Sequence, residues 1–504
     1  MRKLLLGIDI GTSGLKAAVF SPEDGLVASV SESYTVDYPH PGWAEQDPTM
    51  WWNAVCTGLR RLWAETDVRP EEIAGIGIDG QSWSCIPVDK EGRVLHQTPI
   101  WIDTRADAIC RREAERLGED RLFATGQNPF KPAYTTPKVL WFKENMPEIY
   151  RNTYKFMQCN SFIVLRLTGE FTQDICQSYG LHVVSMETGR YDEKLAEALG
   201  IDLAKLVETN SPCHAVVGQV TREAAEATGL CPGTPVVAGG LDAACGTLGA
   251  GVYQTGQTQE QGGQAGGMSI CTDSYKGDPA LIMSRHVVPD LWLLQGGTVG
   301  GGAALNWFVK EVGEAERLLG KEQGRNAFAL VDDAAAAIAP GSDGLVFLPY
   351  LLGERSPLWD ANAKGVFFGL GFDKTRAHMY RSVMEGAAFA LRHNLEVADR
   401  AGAPVGEMYA MGGAANSLVW TQLKADITGK TIKIPATDTA TTLGASILAG
   451  VGTGLYRSFG EAVEKNVAIV REHTPNEELR DVYNKNYAVY RVLYEQLKDT
   501  MAAF

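Results

Sequence analysis

Four short polar segments carry residue types suited to moving a phosphoryl group. The first, residues 7–16, reads GIDIGTSGLK. Asp9 comes at the end of an apolar run that reads as a buried strand, which would hold its carboxylate rigidly. Gly11 and Gly14 permit close backbone approach and unusual dihedrals, Thr12 and Ser13 place hydroxyls in the same tight turn, and Lys16 follows as a cation for a nucleotide. Consecutive free amides in such a turn can cradle phosphoryl oxygens. A carboxylate beside them can organise Mg2+, directly or through water. The run is not a Walker loop, because GxxxxGK[ST] is absent. An ordinary hairpin with a polar tip has the same composition.

The second segment, residues 241–251, reads LDAACGTLGAG. One carboxylate, Asp242, stands between a β segment and a run of small residues. A general base that takes a proton from a substrate hydroxyl needs such rigid placement, and small neighbours leave room for the substrate. Asp242 is equally suited to starting a helix. The third segment joins Gln81, Ser82 and Trp83 with Trp101, Asp103 and Arg105. Amide, hydroxyl, carboxylate and guanidinium groups could bind a polyol while a tryptophan covers its apolar face; a polar strand end on core tryptophans would read the same way. The fourth, residues 412–416, reads GGAAN. Gly412 and Gly413 allow flat packing of a planar base and Asn416 caps the next helix, or the segment is a plain strand–turn–helix junction.

These segments need elements to hold them. Strands are expected at 4–8, 15–20, 26–32 and 72–78, with the glycine turn lying between strands rather than in a strand-to-helix crossover. Helices are expected at 50–64, 105–117 and 153–167, followed by a β segment at 232–240. The glycine- and glutamine-rich tract 255–267 reads as a strand turn or mobile loop at a domain junction, or as plain linker. Beyond it come a helix at 301–310, a strand at 345–352, a β segment at 365–369, a helix at 375–399, a strand at 407–411 and helices at 416–427 and 438–448. The alternation is that of an α/β protein. A chain of 504 residues exceeds one typical core, so two domains are expected, 1–250 and 251–504.

Composition removes several function classes. A net charge of −15 and the lack of a basic stripe argue against nucleic-acid and anionic-membrane partners. No run has transmembrane length, and the N-terminus lacks the apolar stretch and cleavage site of a signal peptide. Nine scattered cysteines with no CxxC pair read as free thiols in a reducing cytoplasm.

Five segments, at 7–17, 101–105, 239–251, 349–371 and 412–429, together resemble the FGGY carbohydrate kinases, nearest in look to the xylulokinase branch. The resemblance implies two actin-like, ribonuclease-H-like domains flanking a deep catalytic cleft. The first would carry the sugar and the first phosphate turn, the second the nucleotide. Asp9 then matches the metal-associated carboxylate, Thr12 and Ser13 the first phosphate turn, and Asp242 the general base. Asp103 and Arg105 match the WxDxR segment, and Gly413 and Asn416 the adenosine-binding turn. Glu354, Arg355 and Pro357 fall in PYLLGERSP, a signature expected to support the cleft. Direct in-line transfer from ATP, with Mg2+, to a terminal hydroxyl of a ketopentose such as D-xylulose is the implied reaction. Ribulose, a polyol, an aldonate or a signalling sugar are other acceptors, and a nucleotide-binding scaffold is a non-enzymatic alternative. A homodimer stays open as the assembly. Two departures stand out. The family's GQMHG is Gly80-Gln81-Ser82-Trp83-Ser84 here, and the second phosphate turn aligns with GGQAGGMS at 262–269, which lacks threonine and leaves the amides around Gly266 and Gly267 to serve.

Overall fold

The computed structural model describes residues 2–208, 210–437 and 439–503. Its N-terminal half is built on a sheet of β1 (Leu4–Ile10), β2 (Gly14–Ser21), β3 (Gly25–Ser33), β4 (Ile73–Gly80), β5 (Val216–Gln219), β6 (Pro235–Val237) and β7 (Gly240–Leu241). The order is β5-β6-β4-β1-β2-β3, with β7 also paired to β4. The C-terminal half contains β8 (Gln257–Gly262), β9 (Gly266–Thr272), β10 (Ile282–Arg285), β11 (Trp292–Thr298), β12 (Glu407–Met411), β13 (Thr431–Pro435) and β14 (Ile469–His473), in the order β10-β11-β9-β8-β12-β13-β14.

The two sheets repeat one pairing scheme. Each opens with an antiparallel hairpin around a glycine turn, Ile10 facing Leu15 in one and Gly262 facing Gly266 in the other. The first strand of each hairpin then pairs in parallel with a later strand, β1 with β4 and β8 with β12. A second parallel pair follows, β4 with β6 and β12 with β13, and an antiparallel strand closes the edge. This duplicated order is the actin-like, ribonuclease-H-like core.

Six helices matter to the site: α1 (Pro48–Glu65), α2 (Cys159–Thr168), α3 (Asp242–Gly249), α4 (Gly302–Val312), α5 (Leu418–Thr428) and α6 (Ala440–Gly452). Asp47 caps α1, accepting from the Thr49 amide at 2.8 Å, and Pro48 starts it. Trp51, Val55, Leu59 and Leu62 recur at helical spacing and bury one face against the sheet, in a core shared with Leu4, Leu6, Ile8 and Ile10 of β1. Alternation along β1 therefore sends Leu5, Gly7 and Asp9 to the opposite face.

Helix α6, from the C-terminal half, lies on that opposite face. Gly7 and Gly77 are register partners on β1 and β4. A Cβ on either would stand 1.9 Å from a carbonyl of α6, Thr442 O or Ala445 O. Helices α3 and α6 also cross backbone to backbone: a Cβ at Gly249 would meet Ala440 O, and one at Gly444 would meet Cys245 O, each at 1.9 Å. Only glycine fits these four positions, and they bind the end of the C-terminal half to the N-terminal sheet.

Several sequence expectations shift. Residues 153–167 do not form one helix: Lys155–Met157 pairs as a strand with Ile86–Val88, and the helix begins at Cys159. The expected strand 345–352 stops at Leu348, because Pro349 has no amide to donate. The tract 255–267 takes the strand-turn form among its expected readings, as the β8–β9 hairpin, and is neither linker nor mobile loop. Helix α6 starts at Ala440, and Asp438, where it was expected to start, lies outside the described residues. Among the described residues, no helix is long and apolar enough to cross a membrane. The nine cysteines are free thiols.

Candidate active site

The ends of β1, β4 and β7 gather three carboxylates. Asp9 faces Lys16 across β2 and Asp79 across β4; Asp79 in turn faces Gly240, two residues before Asp242. Helix α6 completes the group, because Thr441, at its first turn, donates to Asp9 Oδ2 at 2.8 Å. Burial pushes the Asp9 carboxyl above its ordinary range, while the hydrogen bond from Thr441, the adjacent Asp79 carboxyl and the nearby Lys16 charge hold it down. Asp79 is wholly buried, and burial together with the Asp9 and Asp242 charges drives it well above the carboxylate range.

Asp242 is half-buried and is the first helical residue of α3; Leu241 occupies the cap position. Its Oδ1 accepts from the Ala243 amide at 2.6 Å. Burial, then the Asp9 charge, push its carboxyl up to about 7. A carboxylate titrating there can hold or release a proton at neutral pH, the property a general base needs.

The first turn is tight, with the Gly11 amide on Gly14 O at 3.1 Å and Tyr34 Oη on Gly11 O at 2.7 Å. Ser13 is exposed at its tip. The Thr12 hydroxyl is already engaged, accepting from Trp101 Nε1 at 2.9 Å and donating to Gln81 Oε1 at 3.4 Å. Gln81 is buried and gives its own amide to Gln46 Oε1 at 2.7 Å, while Gln46 donates to Thr12 O at 2.8 Å. Gln81 thus braces the turn from behind instead of facing a sugar.

Asp103 and Arg105 also need correction. The Arg105 guanidinium forks onto Asp103, pairs with Glu45 at 2.6 Å and lies 3.9 Å over the Trp43 ring. Asp103 Oδ2 further accepts from the Ala44 amide at 2.7 Å. Both side chains are fully buried, so their polar atoms are spent inside the domain and none is left for a sugar.

Ser82 and Trp83 follow Gln81 just beyond the end of β4. Tyr179 Oη donates to Ser82 Oγ at 3.0 Å and feels the Asp242 charge, which puts Ser82 on the Asp242 side. Trp83 adopts φ 58°, a left-handed conformation unusual for a bulky residue, and packs 4.2 Å from the Tyr134 ring. Its carbonyl is held by the buried Lys138 ammonium at 2.9 Å; burial lowers that amine to about 7.

Across the cleft, a cavity of about 350 Å³ runs from Ala243, beside Asp242, to Gly266, Gly267 and Arg355. A second, of about 550 Å³, continues from Gly263 and Gln264 to Gly413 and Asn416. Gly263 and Gln264 line both, so the β8–β9 turn stands between Asp242 and the GGAAN segment. Helix α4 pins this turn, its Gly302 and Ala303 amides donating to Gly263 O and Gln264 O at 2.9 and 2.7 Å. Gly412 has φ 84°, and a Cβ there would stand 2.9 Å from Gly262 O, so its glycine is required by the neighbouring turn. Asn416 lines the cavity, but the α5 cap is Ser417, whose Oγ accepts from the Trp420 amide at 2.9 Å. Glu354 supports this wall, accepting from Thr298 Oγ1 at 2.5 Å and from the Val299 amide at 2.8 Å.

Asp79, Thr441, Tyr179 and Lys138 escaped the sequence reading. Asp79 had one signal, a polar residue ending a buried strand as Asp9 does. Thr441 had none, being 432 residues from its partner.

Residues 4–249 match "FGGY family of carbohydrate kinases, N-terminal domain", and residues 277–453 match the corresponding C-terminal domain. The xylulose kinase of Staphylococcus epidermidis is 31% identical over 508 residues, covering 100% of this chain and 98% of the relative. The crystal structure of xylulose kinase from Rhodospirillum rubrum superposes with a TM-score of 0.90 at 30% identity, covering 99% of this chain and 100% of the other. Gluconate kinase from Lactobacillus acidophilus superposes equally well, TM-score 0.90, at 26% identity with full coverage of both chains. The chain belongs to the FGGY family of carbohydrate kinases.

Proposed function

We propose that this protein transfers the γ-phosphoryl group of ATP to a terminal hydroxyl of a small sugar, with D-xylulose as the preferred acceptor and Asp242 as general base. The observation that carries the reading is the placement of Asp242: half-buried, poised near 7, at the start of α3 and beside the cavity that leads to the β8–β9 turn. Relatives named xylulose kinase match along the whole chain, which supports this choice of acceptor. Ser13 and the amides of the first turn, with those around Gly266 and Gly267, are the groups to stabilise charge on the phosphoryl oxygens. The nucleoside would lie in the cavity at Gly413 and Asn416.

Among the described residues no cluster of three His, Cys, Asp or Glu side chains could hold a metal by itself. That fits Mg2+, which usually takes one or two carboxylates and fills its shell with water and phosphate. Asp9, a half-buried carboxylate beside the turn, is the residue to hold it, and the ion would supply charge neutralisation. The free thiols agree with a cytoplasmic setting.

A second acceptor reading has its own observation. Ser82 and Trp83 stand where the family pattern has methionine and histidine, and the gluconate kinase superposes with the same TM-score as the xylulose kinase, at lower identity. ADP release measured with Mg-ATP over ketopentoses, polyols and aldonates separates the two. D-xylulose should give the highest kcat/KM; gluconate exceeding it tenfold would replace the first acceptor by the second.

A further inference from the structure

Asp332 is the one charged side chain in the wall of the 550 Å³ cavity, among the described residues. It lies on the helix Ala327–Ala336, which Asn326 caps by accepting from the Phe328 amide at 2.9 Å. Phe328 and Asp332 are four residues apart, one turn on the same face, and both line the cavity. Ser417, whose hydroxyl accepts from the Trp420 amide, lines the same cavity and is near enough to Asp332 to favour its ionised form. Its neighbour Asp333 has Arg325 at 2.8 Å; no described Lys, Arg or His forms an ion pair with Asp332.

An unneutralised carboxylate in a site for a triphosphate needs explaining. At 4 Å from a phosphate charge it would cost about 4 kcal/mol even at an effective dielectric near 20. It must therefore stand away from the phosphates, which the proposed function puts at the turn of Gly262 and Gly263 in the same cavity wall. An ionised carboxylate only accepts hydrogen bonds. The part of a nucleotide that offers donors is the nucleoside, through the exocyclic amine of adenine and the ribose hydroxyls.

We propose that Asp332 is the residue that reads the nucleoside of the phosphoryl donor, accepting hydrogen bonds from its amine or ribose hydroxyl groups and so setting the choice of nucleotide. Phe328 covers the base beside it. This rests on the nucleotide placement proposed above. A site built around a hydrogen-bond acceptor discriminates strongly against an analogue lacking the donor, because the acceptor is then left unpaired.

The test compares kcat/KM for ATP, ITP, 2′-deoxy-ATP and 3′-deoxy-ATP in the wild type, Asp332→Ala and Asp332→Asn. ITP lacks the exocyclic amine, and each deoxynucleotide lacks one hydroxyl. The wild type should prefer ATP over at least one analogue by tenfold or more, and Asp332→Ala should bring that ratio within about threefold of unity. The analogue whose ratio collapses names the donor. Ratios unchanged in both variants, with melting temperatures near wild type, overturn the inference. Ala329→Trp, which fills the same cavity, separates the role of Asp332 from the placement of the nucleotide. A raised KM for ATP in it, with unchanged Asp332 ratios, overturns only the role of Asp332. An unchanged KM in a folded Ala329→Trp protein overturns the nucleotide placement and the inference with it.

Discussion

Replacing Asp242 by Asn should make the protein more stable at pH 8 while removing its activity. Asn has the same shape and keeps an oxygen that can accept from the Ala243 amide. What it lacks is the charge. In the folded state the Asp242 carboxyl is pushed from 3.8 to about 7, chiefly by burial and next by Asp9. A carboxyl raised on folding binds its proton more tightly in the native chain, so folding is favoured at low pH. Stability falls as pH climbs from the unfolded value near 4 through the folded value near 7, and the loss is complete above it. At 1.36 kcal/mol per pH unit the full loss is about 4 kcal/mol. Partial contact with water reduces this to about 2 kcal/mol. Scanning calorimetry of wild type and Asp242→Asn at pH 4.5 and pH 8 measures it. The variant should melt on the order of 2 °C above wild type at pH 8, and the gap should shrink markedly at pH 4.5. A variant that melts at or below the wild-type temperature at pH 8 would refute the claim that Asp242 is held charged at a cost.

Other outcomes follow from the same geometry. The pH profile of kcat/KM for the sugar should rise about tenfold per unit below pH 7 and level above it, because only ionised Asp242 accepts a proton; a flat profile from pH 5.5 to 8 contradicts this. Thr441→Val removes the 2.8 Å hydrogen bond to Asp9 and should lower kcat roughly tenfold, equivalent to about 1.4 kcal/mol, as steady-state kinetics would report. Gly444→Ala puts a methyl 1.9 Å from Cys245 O and forces α3 and α6 apart; thermal melting should show a loss of about 1–3 kcal/mol, and kcat should drop with it because these helices carry Asp242 and Thr441.

The polar strand ends and turns were legible because their chemistry is local. Asp9, Gly11, Ser13 and Asp242 each follow an apolar run that forms a buried strand, and the strand positions them. The hairpin at 262–266 was half-legible: glycines and glutamines look like linker until β12 is there to pair with β8. The failures have a different origin. Asp103 and Arg105 look like sugar ligands in sequence, yet each is the other's partner two residues away, and Glu45 and Trp43 come from 60 residues upstream. Gln81 looks like a polyol ligand in sequence, yet its amide is given to Gln46 instead. Thr441 became part of the site only through the glycines at 7, 77, 249 and 444, whose use as a helix-docking surface is a tertiary property. A residue's type shows what it can do; its burial partners decide whether it is free to do it.

As general base, Asp242 would take the proton of the sugar hydroxyl as the phosphoryl group moves. Sugar-dependent ADP release, measured with saturating Mg-ATP for wild type and Asp242→Asn, tests it most directly. The variant should show a fall in kcat of roughly 10²–10⁴-fold with the KM for ATP little changed. Activity of the variant within twofold of wild type would contradict it.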